Sequence, residues 1–186
     1  MNHMDEGVFR IAPFGPRIGT RLEGETARAA LLLALTALGE PGRLLVALDG
    51  VEVLSGSFAD EAIALPCGRL AAGEYGNRFL VVRAPDLELV DDLSHKLEQH
   101  HLAMLCLIDN GWEVLGLLPP PIRETLALVI ERHDVTAKEL AQALGIKHNA
   151  CLHRVGRLSA LRLVGRQSVG VAGPHPAYRF FSIHEG

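Results

Sequence analysis

Thr136-Ala137-Lys138-Glu139-Leu140-Ala141-Gln142-Ala143-Leu144-Gly145-Ile146 carries both ends of a short helix in eleven residues. Thr136 stands three residues before Glu139, the spacing at which the two side chains bond each other's backbone N–H groups. The helix this box opens is predicted to run through Leu144. Gly145 follows, and its ease at positive φ ends the helix. Ile146 is expected to plug the turn. Upstream, Ile122 to His133 reads as an amphipathic helix with 122, 126, 129 and 130 inward. Downstream, His148 to Leu161 reads as a third helix, with Ala150, Val155 and Leu158 facing the core. Leu163 to Val169 and Tyr178 to Ile183 read as two strands. The loop between them, Gly170-Val171-Ala172-Gly173-Pro174-His175-Pro176, is rich in turn formers.

This region begins at Pro119-Pro120-Pro121, which cannot continue a strand or a helix interior. Pro121 suits the first turn of the next helix, where its missing N–H costs nothing. Two domains are therefore expected, 1–118 and 119–186. The charge divides there too. Residues 1–119 hold nine Lys and Arg against seventeen Asp and Glu, a net of −8; residues 120–186 hold nine against five, a net of +4. An asymmetry of this size points to different partners for the two parts, and the basic one is a candidate for nucleic acid.

Before the prolines, strand and helix patterns alternate. Val8 to Ile11, Leu44 to Leu48, Arg78 to Val82, Leu102 to Ile108 and Trp112 to Leu115 read as strands. Thr20 and Glu23 form a capping box for a helix reaching Leu38 and ended near Gly39 and Pro41. Phe58 to about Ala72 reads as a helix capped by Ser57 and kinked at Pro66. Asp86 to His101 has an apolar stripe at 87, 90, 93 and 97. This alternation implies an α/β layer, with helices on a parallel or mixed sheet.

Composition removes several classes. At 48% hydrophobic and 22% charged, the chain has the material for packed cores, so wholesale disorder is excluded. Cys67, Cys106 and Cys151 are odd in number and far apart, which suits reduced thiols in a cytoplasmic protein rather than a disulfide framework. The longest apolar run, Ala29 to Leu35, is too short for a membrane span, and Asp5 and Glu6 sit where a signal peptide would be positive. There is no Walker loop, no G-x-G-x-x-G and no G-x-S-x-G. No enzyme and no cofactor are expected. His100-His101 near Cys106, and Cys151 near His153, lack metal-ligand spacing.

Three helices followed by a β-hairpin is the order of a winged helix. Thr136 to Ile146 resembles the first half of a bacterial helix-turn-helix, and Leu158-Ser159-Ala160-Leu161-Arg162-Leu163-Val164 resembles the usual exit into the wing. The resemblance covers about residues 122–184 and implies a small α+β domain that binds double-stranded DNA or docks on protein. A tight Gly turn crosses two helices so that the second can enter a major groove. Lys147, His148, Asn149, His153 and Arg157 are then the candidates for reaching DNA, with Arg166 and Arg179 on the hairpin touching its backbone. Leu152 and Gly156 depart from the usual pattern, and the wing tip offers only His175. Such regulators commonly act as homodimers reading two half-sites.

Val46-Ala47-Leu48-Asp49-Gly50-Val51-Glu52-Val53-Leu54-Ser55-Gly56-Ser57-Phe58-Ala59-Asp60-Glu61 runs from a buried strand into a helix start. It resembles the bacterial STAS-like family, with Ser-Phe-Ala-Asp-Glu at that junction, over about residues 8–108. The resemblance implies a mixed sheet with helices and a role in interaction or sensing. In anti-sigma-factor antagonists of the STAS class, a serine at this junction is phosphorylated, and Ser57 is the positional match. Ser57 followed by acids in the first turn is also what a plain helix cap looks like. Asp60 and Glu61 are expected to meet a partner's Arg or to be solvated. The expected whole is a DNA-binding transcriptional regulator with a STAS-like module. The alternative is a partner-switch protein that never touches DNA.

Overall fold

The computed structural model describes residues 4–109, 111–170 and 177–184, and the chain divides into two compact units, Met1–Leu117 and Leu118–Gly186. The first is a mixed α/β fold. Its strands β1 (Asp5–Arg10), β3 (Gly42–Ala47), β5 (Arg78–Arg83), β6 (Ala103–Ile108) and β7 (Gly111–Gly116) lie in the order β1-β3-β5-β6-β7. The first four are mutually parallel, and β7 pairs antiparallel to β6. A short parallel pair, β2 (Arg17–Ile18) with β4 (Val53–Leu54), stands apart.

Strand order decides where the helices go. Each parallel step moves one place in the same direction, and right-handed crossovers then put every helix on one face. These helices are α1 (Arg21–Ala37), α2 (Gly56–Ala59), α3 (Leu65–Ala71) and α4 (Asp91–Gln99). One apolar cluster accordingly joins Ala27, Leu31, Phe58, Ile63, Leu70, Leu93 and Leu97 to Leu44, Val46, Leu80, Val82 and Met104 of the sheet. On the opposite face Leu45, Phe79, Val81, Leu105 and Leu107 are also buried. Strands buried on both faces explain why this region reads as unbroken apolar runs rather than alternation.

Local signals place the elements. Thr20 and Glu23 form the capping box, and the Thr20 hydroxyl holds the Glu23 carboxyl below its usual range. Pro66 does not end the helix. Helical structure is continuous from α2 to α3 through a π-helical turn, Asp60–Ala64, in which Leu65 N–H donates to the Asp60 carbonyl. The widened turn absorbs the N–H that Pro66 lacks, and Pro66 falls in the first turn of α3. α4 starts later than its apolar stripe suggests. The Asp86 carboxylate accepts the Leu89 N–H, a local turn that leaves Leu87 42% exposed while Val90, Leu93 and Leu97 are buried.

The second unit has α5 (Pro120–Arg132), α6 (Ala137–Leu144) and α7 (His148–Ala160) with a sheet ordered β8-β10-β9. Its strands β8 (Asp134–Thr136), β9 (Val164–Val169) and β10 (Ala177–Ser182) are antiparallel. Thr136 and Glu139 form the expected box, and Gly145 is left-handed at φ 63°. Ile146 is half-buried in the turn, as is Ile122 on α5. Gly165 faces Phe181 across the β9–β10 pair, and a Cβ there would run into the ring. The wing-tip residues 171–176, His175 among them, lie outside the described residues.

Two helical glycines have opposite surroundings. A Cβ on Gly24 would come within 2.7 Å of Glu61 Cβ and 3.2 Å of the Phe58 carbonyl oxygen, whereas one on Gly156 meets nothing within 4 Å. Gly156→Ala should therefore stabilise its unit by about 1 kcal/mol through helix propensity. Gly24→Ala should lower stability by roughly 1–2 kcal/mol, since overpacking outweighs the same propensity gain. Urea unfolding checks both: Trp112, the single tryptophan, reports the first unit, and far-UV circular dichroism reports the second.

Candidate functional site

α7 is locked on one side and open on the other. Cys151, Val155 and Leu158 are buried with Leu126, Val129 and Leu140. Ala150, expected inward, is exposed, whereas Cys151 is the small core residue its apolar character suggests. Helix rotation follows from the start at His148, directly after the Gly145 turn, and places 151, 155 and 158 on one stripe. The Arg154 guanidinium donates to the Pro121 carbonyl (3.1 Å) and the Glu124 carboxylate (3.3 Å), which fixes α7 against α5. The Cys151 thiol is pushed up by burial, as a packed core thiol should be.

The opposite side carries Asn149, His153 and Arg157, and Lys147 and His148 stand at the start of the helix; all five are exposed. Among the described residues none of these side chains has an ion-pair or hydrogen-bond partner. Gly156 lies on the same side and adds no bulk. Leu152, 44% exposed, flanks it. On the hairpin, the Arg166 guanidinium stacks over the Tyr178 ring at 5.1 Å. The sequence did not single out Tyr178, because its place opposite Ser168 is a matter of the β9–β10 register, which alternation does not fix. Arg179 is held differently: its Nε donates to Asp134 Oδ1 at 2.8 Å and its Nη2 to the Asp134 carbonyl at 3.3 Å. It joins β10 to β8 and is less free than the others.

In the first unit, the strand–helix junction is built around Ser55. Its hydroxyl accepts the Phe58 N–H (3.3 Å) and donates to the Gly19 carbonyl (2.9 Å). Ser55 is thus the cap, and Ser57 is not. The β2–β4 pairing brings Gly19 beside Ser55 and selects between two serines that look equivalent in sequence. Ser57 lies inside the first turn, exposed, with no side-chain partner among the described residues. Asp49, just before the junction, takes the Arg83 guanidinium at 2.6 and 3.2 Å, which holds its carboxyl below the usual range.

Asp60 and Glu61 do not face outward. Glu61 is 4% exposed, and its carboxylate bridges Arg21 Nη1 (2.7 Å) and Arg28 Nη1 (2.5 Å), both on α1. The sequence signal was present: Arg21, Gly24 and Arg28 share one helical face at i, i+3 and i+7. Asp60 Oδ1 lies 2.7 Å from His100 Nε2, just past α4. Both acids are engaged within the chain because their helix packs against α1 and α4. A carboxylate there must be paired.

Burial pushes the Cys67 and Cys106 thiols up to about 12, so neither is a nucleophile near neutral pH. Among the described residues no three His, Cys, Asp or Glu side chains are grouped to hold a metal ion, and no helix is long and apolar enough to cross a membrane.

The capping geometry separates the two serines. Ser55→Ala should cost about 1 kcal/mol of first-unit stability. Ser57→Ala should stay within about 0.5 kcal/mol, as expected of an exposed side chain without partners. Urea unfolding followed by Trp112 fluorescence distinguishes the outcomes, and equal losses would contradict the assignment of the cap. No family model, no curated protein and no solved structure matches the chain.

Proposed function

We propose that this protein is a DNA-binding regulator, with the second unit as a winged-helix output and the first as a STAS-like interaction or sensing module. The observation that carries this reading is the outward side of α7. Asn149 and Arg157 stand there exposed and unpaired among the described residues, with Lys147 at the helix start, on a helix whose other side is packed. Asn149 suits bidentate pairing with adenine, and Arg157 suits guanine or phosphate. Lys147, His148 and His153 flank them. Gly156 lets the helix backbone approach a groove closely. Arg166 and Tyr178 supply a flat cationic edge on the hairpin for the phosphate backbone. One such helix makes a small footprint, so the reading includes a homodimer on two half-sites and a cytoplasmic place of action.

Fluorescence anisotropy of the full chain on a mixed-sequence duplex tests this. Three phosphate contacts would lower the association constant roughly 40-fold between 50 and 200 mM salt. Arg157→Ala should weaken binding about tenfold, within the range of one lost bidentate contact. Salt-independent binding, or none at 50 mM salt, would sink the DNA reading.

A second reading draws on Ser57. Its hydroxyl is exposed and released from capping, at the junction where STAS-class switch proteins carry their phosphorylated serine. Here the protein is a partner switch, and a phosphate on Ser57 sets its affinity for a regulatory protein. The expected sign is a phosphopeptide containing Ser57 in mass spectra of protein from its native host. Unmodified Ser57 under growth and starvation alike would count against it.

A further inference from the structure

The first unit carries an open cleft of about 910 Å³ formed by the loops that leave β3 and β5. These are the carboxyl ends of two adjacent parallel strands, where α/β sheets present ligand-binding loops. Two features of its lining require explanation. Val53 and Leu87 are 45% and 42% exposed. Leu87 belongs by spacing to the buried stripe of α4, yet the Asp86–Leu89 turn directs it out of the helix and into the cleft. The second feature is charge. Glu52, Asp86, Glu88, Asp91 and Asp92 line the cleft, and no Lys or Arg does. Glu52 is partly answered by Arg17 at 3.2 Å and Asp91 by His95 at 3.6 Å. Glu88 and Asp92 have no ion-pair partner among the described residues.

We infer that this cleft docks a cationic segment of a partner protein, with a bulky apolar side chain seated between Val53 and Leu87 and Lys or Arg groups meeting Glu88 and Asp92. The electrostatics exclude nucleic acid, whose phosphates the carboxylates repel. A small amine would need enclosure of most of its surface, and the half-exposed Val53 and Leu87 do not provide it. A peptide laid along an open groove needs what is present, apolar anchors rimmed by charge. The inference concerns the first unit alone and stands whether or not the second binds DNA.

The test is selection of a phage-displayed random 16-residue peptide library on the full chain, followed by anisotropy with the synthetic winner. Enriched peptides should combine Lys or Arg with Leu, Phe or Trp. Leu87→Asn should weaken the winner at least tenfold, and so should the pair Glu88→Gln with Asp92→Asn. The charge-matched pair Glu25→Gln with Glu98→Gln, exposed elsewhere on this unit, should change it less than twofold. Circular dichroism verifies that each variant is folded. Enrichment of no peptide, of acidic or neutral peptides, or equal losses from both acid pairs overturns the inference. Winners matching this chain's own 147–157, with self-association abolished by Leu87→Asn, would make the occupant a second copy and overturn it equally.

Discussion

Glu61 is a carboxylate taken out of water and given back two guanidiniums, and the helical layer of the first unit is arranged around that exchange. Desolvating one carboxylate costs several kcal/mol in a real protein. Two guanidiniums answer that cost, Arg28 more strongly than Arg21, which is largely exposed and screened by water. Both reach Glu61 from α1, which requires α1 to lie close. Gly24 permits this, because a Cβ would strike Glu61 and Phe58. The strand order is the deeper cause. A sheet that grows in one direction collects all its helices on one face, and the helix from Gly56 to Ala71 is caught between α1 and α4.

The two units divide their charge in a way that matters for partners. In the first, Glu61 is paired with two arginines and Asp60 lies against His100, while the cleft carboxylates between Glu52 and Asp92 remain outward. In the second, Arg154 and Arg179 are tied to Glu124 and Asp134, while Lys147 and Arg157 remain outward. The net charges of −8 and +4 are what remains once such pairs cancel. Surfaces of opposite sign attract different molecules at long range, which is the physical basis for assigning the units to different partners.

Local chemistry was readable where a motif contains its own partner. Both capping boxes formed because donor and acceptor lie three residues apart and need nothing else. Gly145 ended α6 because its conformational freedom is intrinsic. Expectations failed where the deciding group lay far along the chain or in a competing turn. Ser55 rather than Ser57 caps, because Gly19 from β2's end meets it. Leu87 left its stripe because Asp86 captured the Leu89 N–H first. Ala150 turned outward because the start of α7 sets the rotation of the whole helix.

What the sequence determined by itself was the period of most segments, the two capping boxes, the boundary at the prolines and the sign of charge on each part. These follow from interactions within a few residues, or from composition, and survive any arrangement of the elements. Tertiary structure alone decided which charges are available. Arg28 and Arg157 are alike in sequence terms, yet one is held by a buried carboxylate and the other has no partner among the described residues. Asp60 and Asp92 are alike too, yet one faces His100 inside the helical layer and the other lines an open cleft. The reason is that pairing depends on distances between residues tens of positions apart, and only the packed sheet and helices set those.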